Sequence, residues 1–147
     1  MKEREIDDRP HCLVVGVGAG TGLACVQRFI TGGYKVSMIA RHGERLQSFA
    51  DDNEHTMAYP ADISDLDGYR ATLRKIVAEQ GLPEKVIYNA ALATFAPYAE
   101  LDTDLFERNF RVNTTGLLVT AQELAPQMVP AGGGALIVTG NTGATRG

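Results

Sequence analysis

Cysteine is scarce in this chain: its 147 residues hold only Cys12 and Cys25. They fall in the first expected strand and the helix after it, where a thiol is a small core side chain, so no disulfide framework is expected. No apolar run approaches the length of a membrane span. The opening stretch, Met1 to Pro10, is charged rather than apolar. That argues against a secretory signal and predicts a solvated tail over residues 1–10, with a cytoplasmic location. His11, His42 and His55 have no partner spacing that would hold a metal. Gly-Lys-Ser/Thr, the phosphate loop of ATP and GTP sites, is missing. Positive charge is in deficit too, with a net charge of −4, which disfavours nucleic acid or an anionic membrane as main partner.

What the chain has is glycine, and at one place it is dense. In Val14-Val15-Gly16-Val17-Gly18-Ala19-Gly20-Thr21-Gly22-Leu23-Ala24 a β-branched apolar run breaks into glycines and an amphipathic segment follows. This reads as strand, phosphate-cradling turn and helix start. Glycines let a pyrophosphate approach the backbone, and the helix end offers it free N–H groups and positive dipole. The spacing is not the common Gly-x-Gly-x-x-Gly, because Thr21 stands where its third glycine would fall. It is Gly-x-x-x-Gly-x-Gly, on Gly16, Gly20 and Gly22, with Gly18 and Thr21 inside the same turn. The plain alternative is a tight strand–turn–helix connection with no ligand.

Strand-like and helix-like segments alternate along the rest. Strands are expected over 11–16, 34–40, 55–59, 85–89 and 135–139. Helices are expected over 20–30, closed by Gly32-Gly33, and over 44–50. A third runs from an N-cap at Ser64 to about Glu79, and a fourth from a cap at Thr103 through Phe110. A separate fifth runs from about Val112 to Met128. Alternation of this kind predicts one α/β domain with a doubly wound, Rossmann-type parallel sheet over residues 11–147. The expected strand order is 3-2-1-4-5, with ligand at the carboxyl ends of the strands. Strand 2 ends at Ala40, where an NAD site places an acidic residue, and Arg41 follows. A guanidinium there can pair with a 2′-phosphate, so NADP(H) is expected over NAD(H).

The glycine spacing resembles the short-chain dehydrogenase/reductase family, and further matches fall in the family's order across the chain after residue 10. Asp62, in Pro60-Ala61-Asp62-Ile63, resembles the aspartate that hydrogen-bonds the adenine amine, with Ile63 packed on the ring; it also suits the approach to a helix N-terminus. Tyr88-Asn89-Ala90-Ala91 stands where the family has Asn-Asn-Ala-Gly. Asn89 and Ala90 match, and Tyr88 and Ala91 depart. The resemblance implies that Asn89 braces the sheet while small residues leave room for the cofactor. Asn113, in Arg111-Val112-Asn113-Thr114-Thr115-Gly116, resembles the helix asparagine whose carbonyl holds a catalytic water. A mid-helix asparagine otherwise costs helix propensity.

The same resemblance implies hydride transfer between a nicotinamide and a carbonyl or alcohol, with a tyrosine moving the proton and a lysine four residues on tuning it. None of Tyr34, Tyr59, Tyr69, Tyr88 and Tyr98 has a lysine at that spacing. After the fifth strand the family has serines, whereas this chain reads Thr139-Gly140-Asn141-Thr142-Gly143. Asn141 aligns with the catalytic serine, and Thr142 is the nearby hydroxyl; either could hold a substrate carbonyl. Strand 5 would also be an uncovered apolar edge. These departures predict the N-terminal, cofactor-binding part of a longer oxidoreductase, inactive by itself and homo-oligomeric at full length. The alternative is a non-catalytic NADP(H)-binding module.

Overall fold

The computed structural model describes residues 7–141. Five strands, β1 (His11–Val15), β2 (Lys35–Ala40), β3 (Thr56–Pro60), β4 (Lys85–Tyr88) and β5 (Ala135–Val138), form one sheet in the order β3-β2-β1-β4-β5. Every neighbouring pair is parallel. The sequence expectation of strand order 3-2-1-4-5 holds. Helices α1 (Thr21–Thr31), α2 (Gly43–Asp52), α3 (Leu66–Gln80), α4 (Thr103–Phe110) and α5 (Gly116–Met128) carry the crossovers.

The sheet is covered on both faces, which is why β1 is apolar from Cys12 to Val15 and buried at all five positions. Alternate side chains enter different cores. Leu13, Val15, Ile39, Val86 and Tyr88 pack with Tyr69, Leu73 and Ile76 of α3 and Val119 and Leu124 of α5. Cys12, Val14, Val36, Met38 and Ile87 pack with Val26 of α1 and Leu46 of α2. On the open side of β5, Leu136, Ile137 and Val138 stand 37%, 48% and 49% exposed.

Several helix ends differ from the sequence reading. α1 closes as expected at Gly32-Gly33. Gly33 takes φ +83°, and the Gly33 and Tyr34 amides donate back to Ile30 and Phe29. The cap of α3 is Asp65, not Ser64: its carboxylate accepts from the Gly68 amide, while the Ser64 hydroxyl is taken up by Asp62. Asp102, not Thr103, caps α4, accepting from the amides of Asp104 and Leu105. The two helices expected on either side of Arg111 are joined. Arg111–Thr115 forms a π turn, with the Gly116 amide donating to the Arg111 carbonyl, and helix runs on from Thr103 to Met128.

Of the tail expected over residues 1–10, residues 1–6 lie outside the described residues. Residues 7–10 follow the amino edge of the sheet, where Lys35 donates its amide to Pro10 and its ammonium to the Asp7 carbonyl. Among the described residues no helix is long and apolar enough to cross a membrane, and no group of metal-ligating side chains is found.

Candidate functional site: a cleft at the carboxyl ends of the strands

β1 stops at Val15 because Gly16 turns the chain with φ +90°. A Cβ on Gly16 would lie 2.4 Å from the Ala90 amide nitrogen, and one on Gly22 would lie 2.4 Å from the Gly16 carbonyl oxygen. Those two glycines are required by the fold itself. Gly18 and Gly20 are different, because a Cβ on either would meet nothing within 4 Å among the described residues. Packing gives no reason for glycine there, and both face open space.

That space is a cleft of about 370 Å³ where the strand order reverses. Gly16, Gly18, Gly20, Thr21 and Gly22 line its floor. Arg41 stands at the end of β2, Asp62 and Ile63 follow β3, and Asn89, Ala90 and Ala91 follow β4. Every residue expected from the sequence to touch a dinucleotide therefore lines one cavity. Ala40, His42, Ala61, Leu92 and Val112 complete the wall.

The helices that open onto the cleft differ from α3 and α4 in their caps. α1 begins after Gly20 and α2 after His42, and neither has a side-chain cap. In α1 the Leu23 amide donates to the Gly18 carbonyl, and the other first-turn amides of the two helices are available to an anion. α3 and α4 have their first amides answered by aspartates.

Asn89 ties the cleft together: its amide donates to the Gly16 carbonyl at 2.8 Å, and its carbonyl accepts from the Thr139 hydroxyl at 3.0 Å. The turn after β1, the end of β4 and the end of β5 are thereby fixed to one another. Asp62 is also engaged. Its carboxylate accepts from the Ser64 hydroxyl at 2.7 Å, the Ser64 amide at 2.9 Å and the Arg108 guanidinium at 2.9 Å. The Ser64 hydroxyl, then its amide and the Arg108 charge, hold the carboxyl below the usual carboxylate range despite partial burial, so it is anionic at neutral pH.

Asn113 does not line the cleft. It sits in the π turn, where its side chain accepts from the Leu92 amide at 2.8 Å and donates to the Leu92 carbonyl at 2.7 Å. It thus fixes the segment that leaves β4. The Tyr88 hydroxyl, buried beneath, donates to the Val112 carbonyl in the same turn. Gly116 is required by that contact, since a Cβ there would lie 2.4 Å from the Tyr88 hydroxyl. Burial pushes the Tyr88 phenol up to about 12, so it stays protonated near neutrality, with its proton held by the Val112 carbonyl. Asn141 is exposed just beyond β5, and the residues lining the cleft do not include it. Thr142 lies outside the described residues.

Sequence reasoning missed Arg108 and Tyr88 as parts of this site. Arg108 reaches Asp62 across 46 positions of chain, a pairing that no local spacing signals. The phenol of Tyr88 was visible only as a departure from the resembled pattern.

A doubly wound parallel sheet with an open glycine turn at its switch point defines a dinucleotide-binding type of domain. A family model described as short chain dehydrogenase matches residues 10–147, and the chain belongs to that family. D-threitol dehydrogenase of Mycolicibacterium smegmatis is 25% identical over 142 residues, covering 94% of this chain and 55% of the relative. D-erythrulose reductase of Gallus gallus is 29% identical over 122 residues, covering 83% and 48%. A 3-ketoacyl-ACP reductase structure from Sinorhizobium meliloti superposes with a TM-score of 0.86 at 27% identity, covering 94% of this chain and 56% of that one. The chain spans about half the length of these relatives.

Proposed function

We propose that residues 11–147 are the cofactor-binding part of an NADP(H)-dependent oxidoreductase acting on the carbonyl or alcohol group of a small molecule. The observation that carries this reading is the open glycine pair. Gly18 and Gly20 have no packing partner to exclude a side chain, yet both line the cleft beside the uncapped start of α1. A pyrophosphate laid against that backbone accounts for both glycines and for the missing cap.

The remaining residues take roles from their positions. Arg41, with no acidic residue beside it at the end of β2, pairs with a 2′-phosphate and selects NADP(H). Ile63 packs on the adenine, and the Asp62 carboxylate accepts its amine. Ala90 and Ala91 leave room for the cofactor, which supplies or accepts the hydride when bound. Asn113 holds the cleft wall through Leu92, and its main-chain carbonyl holds a water in the proton path. Asn141 or Thr142 orients the substrate carbonyl. A cytoplasmic homo-oligomer belongs to the same reading.

Equilibrium binding of NADPH and NADH to the whole protein, followed by turnover across a panel of small ketones and alcohols, tests the reading. NADPH binding with NADPH oxidation by at least one carbonyl supports it. Binding without turnover turns it into a non-catalytic NADP(H) module, and failure to bind either dinucleotide overturns it.

A further inference from the structure

We propose that Arg108 is a positioning residue for the adenine end of the dinucleotide, acting through Asp62; the proposal rests on the dinucleotide reading above. Arg108 lies in the last turn of α4, and its guanidinium makes two contacts. Nη2 donates to Asp62 Oδ2 at 2.9 Å, and Nε donates to the Ser64 hydroxyl oxygen at 3.3 Å. The same Ser64 hydroxyl donates to Asp62 Oδ1 at 2.7 Å, and the Ser64 amide donates there at 2.9 Å. Carboxylate, hydroxyl and guanidinium thus form a closed ring of hydrogen bonds.

The ring decides what Asp62 can still do. A carboxylate offers about four acceptor directions. Ser64 fills both on Oδ1 and Arg108 fills one on Oδ2, which leaves a single acceptor on a side chain that lines the cleft. One fixed acceptor beside Ile63 suits the exocyclic amine of an aminopurine. It repels the carbonyl oxygen of an oxopurine at the same place. Without Arg108 the carboxylate keeps its hold on Ser64 but loses the contact that fixes Oδ2.

Stability alone does not account for the pair. Both side chains are about two-fifths exposed, at 42% for Arg108 and 40% for Asp62. Ion pairs this open contribute little to folding. α4 itself buries no residue, so Arg108 also ties an otherwise lightly held helix to the cleft wall. The test must therefore separate anchoring of the helix from positioning of the carboxylate.

The experiment compares NADPH with its hypoxanthine counterpart as probes, in the whole protein and in Arg108→Met, Asp62→Ala and the double variant. The unsubstituted protein is expected to prefer the adenine form, and each single substitution to lower that preference about tenfold, the size of one charge-assisted hydrogen bond. The double variant should lose no more than either single one, because Arg108 acts only through Asp62. Arg108→Lys, which keeps the charge, should restore part of the preference. An unchanged preference in Arg108→Met, or losses that add in the double variant, would overturn the proposal and leave Arg108 as a helix anchor. If the unsubstituted protein bound neither probe, the dinucleotide reading itself would fall, and this proposal with it.

Discussion

The two ends of the same five strands are built on opposite principles. At the amino end, polar groups answer one another. His11 is buried, with Nδ1 on the Gly81 carbonyl at 2.8 Å and Nε2 on the Ser37 hydroxyl at 2.8 Å. Asp7 meets Arg9 and His55. At the carboxyl end, two helices start without a side-chain cap, and two glycines border open space. Room does not separate the ends, since a cavity of about 550 Å³ lies at the amino end too; groups satisfied within the protein report on folding, whereas donors left unanswered beside a cleft report on a ligand.

The largest expected effect comes from substituting within the glycine turn itself. Gly16→Ala puts a Cβ at positive φ against the Ala90 backbone, and should cost about 3–4 kcal/mol or prevent folding. Gly18→Ala meets nothing, so denaturant unfolding should place it within about 0.5 kcal/mol of the parent. It should weaken NADPH binding all the same. If both variants lost stability alike, the division between packing glycines and ligand glycines would be wrong.

The amino end predicts a pH dependence. Burial is the main cause that holds the His11 imidazole down at about 4, from an ordinary value of 6.5. The unfolded chain therefore binds a proton that the folded one refuses as pH falls from about 6.5 to about 4. Stability should drop across that window, by about 3 kcal/mol for a shift of this size, and the contribution should level off below it. In His11→Gln, unfolding curves taken between pH 4 and 7 should lose that slope.

A smaller effect separates the two dinucleotides. Arg41→Asp should weaken NADPH binding by about 2 kcal/mol more than NADH binding, the difference between a charge-assisted phosphate contact and a repulsive one. Equal losses would remove Arg41 from cofactor choice. The smallest effect tests the border between the two principles. Tyr88 is a folding residue at the ligand end, and Tyr88→Phe should cost about 1–2 kcal/mol for the unanswered Val112 carbonyl. Thermal unfolding reads this loss; no loss would mean that the phenol does not hold the π turn.

Strand order and the cleft were legible from the sequence because both rest on local patterns. Apolar runs mark the strands, and Gly16, Arg41, Asp62 and Asn89 each follow one, where the fold gathers ligand residues. Caps were harder, since Ser64 and Asp65 are both good capping residues and adjacent. Which of them caps α3 is decided by Asp62, which takes the Ser64 hydroxyl. The π turn was hidden for a related reason. Its support, the Tyr88 hydroxyl, comes from a strand 24 positions away. Arg108 was illegible because its partners become neighbours only when α4 packs beside the β3–α3 connection.

Amide hydrogen exchange of the whole protein with and without NADPH tests the contrast between the two ends most directly. The account predicts slowed exchange on NADPH addition at residues 18–23 and 41–45, the turn and the uncapped helix starts, with no change at residues 9–12 or 81–84. Protection spread equally over both ends, or confined to the amino end, would contradict it.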